Sequence, residues 1–393
     1  MIDSRGALEA VVRHAVELED DYDDIAPTVT ALATSGDIAL VPRLREALDR
    51  FLDEGNFYGR DLIAGVLAGI DGAAALPVLL RASARDLGDD QDGLQSEIIE
   101  LLRADPSTSL NVVSELATND RPELRRVGLW ALGFMAETPN VELLAAALTD
   151  TDPEIRSMAV GSMPDPAGDD RAFGALVLAL RDPNQQVRVS AASRLAHAGR
   201  VDAVAPLVAL ATDPEPRVRS MVAWALGRLG NDEATPALQR LLHDPDRHVR
   251  ERAAEALGAV GGHAAVDTLL MLAVDRDPQL RVQAAKALPK AADADPRVVP
   301  QLTVLARDGE AAVRAATLSG LASADGTSRR GDLLVELADD PDPMVRQRVA
   351  VVARHVAPDV APDILRRYTR DPDQTLRELA AIELRRLTDP TAR

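Results

Sequence analysis

The sequence predicts an all-α solenoid of about twelve helical hairpins, and three observations predict it. Nine arginines, each preceded by Leu, Ile or Val, stand at near-equal spacing: Arg125, Arg156, Arg188, Arg219, Arg250, Arg281, Arg314, Arg346 and Arg377. The steps between them are 31, 32, 31, 31, 31, 33, 32 and 31 residues, a period of the kind that marks stacked repeats. The chain is 46% hydrophobic but only 2% aromatic, so Ala, Leu and Val carry the apolar share. Such residues suit helix-on-helix packing and not the aromatic, β-branched strands of a sandwich or barrel. At 393 residues the chain is too long for one ordinary core, and its apolar content is too high for a disordered chain.

Each unit reads as two helices. The segments DPNQQVRVSAASRLA (Asp182–Ala196), DPEPRVRSMVAWALG (Asp213–Gly227), DPDRHVRERAAEALG (Asp244–Gly258) and DPQLRVQAAKALP (Asp277–Pro289) repeat one theme. In the unit Val201–Gly230, DAVAPLVALATD has helical spacing and a proline, Pro206, which recurs at Pro77, Pro236, Pro300 and Pro362. Asp213-Pro214 then reads as an N-cap followed by a proline in the first turn. The second helix places Val218, Val222, Ala225, Leu226 and Leu229 on one stripe, and Gly227 or Gly230 ends it. Regular units fill 119–393. Residues 1–118 hold degenerate units near 4–35, 38–70 and 72–104, where Arg60 begins a recognisable copy, Gln95 replaces an arginine and the first unit has none.

These motifs resemble the HEAT repeat family, in particular its short bacterial, bilin-lyase-like form with the signature D-P-x-x-x-V-R-x-x-A-A-x-A-L-G. The resemblance is specific over about 120–390. It implies a right-handed superhelix whose second helices line the concave side. It also implies an Asp–Arg ladder between neighbouring units, carried here by Asp182, Asp213, Asp244 and by Arg188, Arg219, Arg250, Arg281. A partly buried guanidinium needs a carboxylate or carbonyl, and arginine can satisfy two at once.

At 100° per residue from the repeated arginine, positions −1, +3, +4 and +7 are buried and +1, +2, +5 and +9 face away. Both tryptophans, Trp130 and Trp224, stand at +5. Arg126 and Phe134 neighbour the first, Met221 and Arg228 the second. Aromatic and arginine side chains are the usual anchors of a binding surface. Tryptophan is also frequent here in bacterial HEAT sequences, where it packs on the next unit. Trp130, Phe134, Trp224, Met221 and Arg228 are therefore candidate binding residues weighed against a packing role.

The net charge is −19 and the pI about 4.8, which disfavours a nucleic-acid partner and favours a basic protein. The run ELEDDYDD (Glu17–Asp24), with Asp20, Asp21 and Tyr22, is a candidate surface for such a partner; Asp86, Asp89, Asp90 and Asp92 form a second acidic group. Both also read as solvated turns.

No catalytic motif appears. There is no Cys, so no disulfide, thiolate zinc site or cysteine nucleophile is available, and a cytoplasmic location is expected. MIDSRGALEA lacks the apolar core of a leader, and no membrane span is expected. His243 and His248 flank Asp244 and Asp246 in an ordinary turn, so no metal and no cofactor is expected. HEAT-type deoxyhypusine hydroxylases carry iron on His-Glu pairs, and this chain has none. HEAT-like DNA glycosylases need a basic, aromatic-lined face. Bilin lyases share the short repeat, but no residue here stands out to carry their chemistry. The expectation is a non-catalytic scaffold or adaptor. The alternative is an acidic inhibitor or immunity protein blocking a basic enzyme such as a nuclease toxin. A bilin-lyase-like enzyme ranks third.

Overall fold

The computed structural model describes residues 3–17, 22–85, 92–135, 141–292, 295–322 and 331–388. It divides by packing into two compact units, Met1–Ser190 and Ala191–Arg393. Among the described residues the regular elements are helices only, paired into twelve antiparallel hairpins.

The first unit contains Ser4–Glu17 with Tyr22–Ala33, Val41–Glu54 with Phe57–Asp71, Leu76–Ser83 with Asp92–Ala104, Pro106–Ala117 with Pro122–Leu132, and Val141–Ala147 with Pro153–Ser162. Asp170–Ala179 follows, and its partner Gln185–Ala198 contains the division. The second unit continues with Val204–Ala209 and Pro216–Leu229, Thr235–Leu241 and Arg247–Val260, and His263–Leu272 and Pro278–Ala287. It ends with Val298–Leu305 and Ala311–Ala322, Gly331–Leu337 and Pro343–Val356, and Ala361–Tyr368 and Gln374–Thr388. The chain is an all-α solenoid.

Sequence accounts for these boundaries locally. Pro77, Pro206, Pro236, Pro300 and Pro362 all lie in the first turn of a first helix, where the missing N–H would have had no partner. Second helices begin two residues later than the Asp-Pro reading places them. Neither Asp213, which closes the preceding 3-10 turn, nor Asp244 is the N-cap of its second helix; the N-caps are Glu215 and Asp246, the latter accepting from the His248 and Val249 backbone N–H groups. Where the motif is shorter, as at Asp152, Asp277 and Asp342, the Asp of Asp-Pro is itself the cap, and another aspartate stands two residues before it. Asp-Pro thus occurs in two registers that look alike in sequence.

Each hairpin buries one stripe against its neighbours. Pro216–Leu229 buries Val218, Val222, Ala223, Ala225, Leu226 and Gly227; Arg247–Val260 buries the matching Val249, Ala253, Ala254, Ala256, Leu257 and Gly258. Small residues in three of these six columns let the helix backbones approach closely. The two glycines of the ALG motif therefore do not end their helices. That is done by Gly230 and Gly261, left-handed at φ 63° and 66°. Gly227 and Gly258 sit where the next second helix crosses: a Cβ on Gly227 would lie 2.7 Å from Ala256 Cα, and one on Gly258 2.5 Å from the Ala287 carbonyl oxygen.

Gly258→Ala is accordingly expected to lower stability although alanine is the better helix former. Overpacking against backbone costs about 1–3 kcal/mol, against a propensity gain of about 1 kcal/mol. Denaturant unfolding reads the net loss, and a variant as stable as the parent would refute the close crossing.

One continuous apolar stretch departs from the sequence expectation. Phe57–Ser83 contains an 18-residue window of mean hydropathy 2.0, long and apolar enough for a membrane span. It is broken at Gly72 (φ 55°, ψ −133°), where one hairpin hands over to the next, and more than half of its apolar window is buried inside the fold. Arg60 within it is wholly buried, with Nε donating to Asp61 Oδ1 at 2.8 Å and the guanidinium 5.3 Å from the Phe57 ring.

Candidate functional site

The repeated arginine has a fixed set of bonds. Its Nη1 donates to the carbonyls six and five residues earlier: Arg188 to Asp182 and Pro183, Arg219 to Asp213 and Pro214, Arg250 to Asp244 and Pro245, Arg281 to Asp275 and Arg276. This fastens the start of the second helix to the turn before it. Nε and Nη2 then reach the next unit as a fork. Arg219 holds both oxygens of Asp244 at 2.6 and 2.8 Å. The same fork joins Arg125 to Asp150 and Arg156 to Asp182 in the first unit, and Arg281 to Asp308, Arg314 to Asp340 and Arg346 to Asp371 in the second.

Each rung aspartate is also anchored locally: Asp244 Oδ1 accepts from the Asp246 backbone N–H at 2.9 Å and Asp182 Oδ1 from that of Asn184 at 2.8 Å. Burial pushes the Asp244 carboxyl up. Arg219 and the Asp246 N–H outweigh that and hold it below the ordinary carboxylate range; the rung aspartates 150, 182, 308, 340 and 371 are lowered in the same way.

One rung is open. Arg250 makes its two carbonyl bonds but no ion pair with Asp275, the aspartate in the matching position. The following helix Pro278–Ala287 is set differently. Leu280, which corresponds to the buried Val218 and Val249, is only half-buried, and Gln283 Oε1 is buried without a hydrogen-bond partner.

The +5 face is less exposed than angles alone suggest. Trp130 and Trp224 are both half-buried, as is Met221. Trp224 lies against His197 of the preceding second helix (centroids 5.3 Å apart), and the Arg228 guanidinium stands 5.9 Å from its ring on the same helix. His197 Nδ1 lies 2.8 Å from the Ser193 carbonyl, which fixes the imidazole beside the indole. Trp130 meets Phe134 edge-on at 5.0 Å, and Phe134 is exposed. Arg126 is held by Asp152 at 2.7 Å instead of lying free beside Trp130. The structure thus makes two small aromatic clusters, one in each unit.

Asp20 and Asp21 lie outside the described residues, and of Tyr22 only the backbone is described, as the first residue of Tyr22–Ala33. Asp86, Asp89 and Asp90 are likewise outside, while Asp92 opens the helix Asp92–Ala104. His243 and His248 are exposed, and Asp244 between them is committed to Arg219. Among the described residues no group of three or more His, Asp or Glu could hold a metal ion. Sequence reasoning passed over a groove between the helices Ser4–Glu17 and Val41–Glu54, flanked by Arg5, Arg13, Arg43 and Arg50. Its only sequence signal is the spacing of eight and seven residues that puts each pair on one helix face.

Hairpins stacked through a shared stripe and an Arg–Asp ladder define a helical-repeat protein of the α-solenoid class. The family model for HEAT repeats matches residues 173–257, 226–288 and 266–354, so 173–354 consists of HEAT repeats. Importin beta is similar in fold: TM-score 0.57 at 14% identity, covering 97% of this chain and 64% of that one. The karyopherin Kap121p is similar too, with TM-score 0.52 at 17% identity over 91% of this chain and 46% of its own. The chain therefore spans less than two thirds of either karyopherin. The complex of CpcE and CpcF of phycocyanin lyase from Nostoc matches at 21% identity over 63% of this chain and 94% of that one, with a TM-score of 0.37. No curated protein matches by sequence. A HEAT solenoid is a fold that commonly mediates protein–protein interaction.

Proposed function

We propose that the chain is a non-catalytic scaffold or adaptor of the cytoplasm that holds a partner protein on the face of its second helices. The observation that carries this reading is the cluster at Trp224. A large ring stands half-exposed between a histidine and an arginine, in a stack that otherwise uses Ala, Leu and Gly. An indole with an adjacent guanidinium offers apolar area together with charge-assisted bonds, the combination found at binding hot spots. The Trp130–Phe134 pair offers a second anchor in the other unit.

The test is the double variant Trp130→Ala, Trp224→Ala. A partner identified by cross-linking and mass spectrometry is expected to bind it at least about tenfold more weakly, the loss of one or two hot-spot contacts, with helicity unchanged. Undiminished binding would remove the site assignment.

The charge of −19 favours a second reading: an acidic inhibitor that covers a basic enzyme. Such a complex would weaken steeply between low and high salt; a salt-insensitive complex would count against it.

A further inference from the structure

We propose that the groove between Ser4–Glu17 and Val41–Glu54 binds an acidic amphipathic helix of a partner protein. These are the first helices of the first two hairpins, so the site lies on a different face of the repeat from Trp224 and does not rest on the reading above. The groove has a volume of about 550 Å3. Its floor is apolar, made by Leu8, Val12, Val16 and Ala47. Of these four, Val16 is the most open, at 52% exposed. The walls carry Arg5 and Arg13 on one helix and Arg43 and Arg50 on the other, against only Glu9 and Glu46.

The charge is therefore locally positive in a chain of net charge −19. Arg5 and Arg50 make loose i,i+4 pairs with Glu9 (3.5 Å) and Glu54 (3.6 Å), all four groups exposed, and such pairs are weak. Arg13 and Arg43 have no carboxylate partner among the described residues. Two uncommitted guanidinium groups on opposite walls of an apolar trough match carboxylates flanking an apolar stripe.

The span from Arg5 to Val16 is about 16 Å at helical rise, so about 11 helical residues fill it. An apolar floor gives nothing to a phosphate backbone, and the charge of the whole chain repels one. The same charge opposes a second copy of this chain as the occupant.

The probe is a fluorescein-labelled helical peptide of about that length, with leucines at i, i+3, i+4 and i+7 and glutamates beside them. Fluorescence anisotropy with the full chain is expected to show saturable binding that weakens with added salt. The variant Arg13→Glu, Arg43→Glu is expected to bind about tenfold more weakly, the sum of two exposed charge contacts, with parental helicity and melting temperature. The Trp130→Ala, Trp224→Ala variant is expected to bind the peptide as the parent does. Equal binding by parent and arginine variant would overturn the proposal. So would tighter binding of a lysine-for-glutamate peptide, of a single-stranded oligonucleotide or of phosphatidylserine vesicles. Dimerisation of the parent that the arginine variant abolishes would overturn it in favour of a second copy.

Discussion

Arg219→Ala is expected to destabilise the second unit by about 3 kcal/mol or more, the cost of removing one partner of a buried ion pair. The side chains of Arg219 and Asp244 are only 12% and 5% exposed, so solvent cannot replace the lost guanidinium. The alanine leaves Asp244 with the Asp246 N–H as its direct donor and frees the Asp213 and Pro214 carbonyls. Arg250→Ala is the internal comparison. Arg250 makes the same two carbonyl bonds but holds no aspartate of the next unit, so its loss is expected to be clearly smaller, about 1–2 kcal/mol. Denaturant unfolding of both variants measures the difference. Equal losses would mean that the inter-unit fork contributes nothing beyond the local carbonyl bonds.

Acid is expected to act on all the rungs together. Asp150, Asp182, Asp244, Asp308, Asp340 and Asp371 are held below their ordinary range when folded. In the unfolded chain an aspartate returns to about 3.9. Between those limits the unfolded chain binds more protons than the folded one, so stability falls as pH falls. The contribution is intact above about pH 5. It begins to go near the unfolded value and is gone once pH has passed through the lowered folded values. Unfolding near pH 4 should therefore take up protons, six being the ceiling that these rungs could supply, and Arg219→Ala should take up fewer than the parent. The slope of stability against pH between 6 and 3 reads this number directly. A flat profile would show that the rungs leave the carboxylates unperturbed.

The stack could be read in the sequence because each unit repeats both its apolar stripe and its arginine. Val218, Val222 and Leu226 announce a helix face whatever surrounds them. The caps were harder. Asp213 and Asp277 both precede proline, yet Asp277 caps its helix while Asp213 stands two residues before the cap Glu215. Only the two-residue offset to the arginine tells them apart. Gly227 and Gly230 are likewise alike on paper; one allows a neighbouring helix to cross and the other reverses the chain, and spacing to the following unit decides between them. The tryptophans were found by angle, but the contact of Trp224 with His197 lies in another hairpin, which no single-helix projection contains. The groove beside Arg13 and Arg43 was invisible because no motif links two first helices that meet only after the hairpins pack.

The ladder has a consequence for how such a chain can change in length. From Asp150 onward each hairpin carries an aspartate in the receiving position and, six residues later, an arginine in the donating position, although the rung from Arg250 to Asp275 stays open. A tandem duplication of one hairpin therefore arrives with both halves in phase, and the new junctions close with the same geometry as the old. The array can be lengthened or shortened by whole units without redesigning any interface. An insertion of a few residues between the aspartate and its arginine has no such freedom, because it displaces one half of two rungs at once.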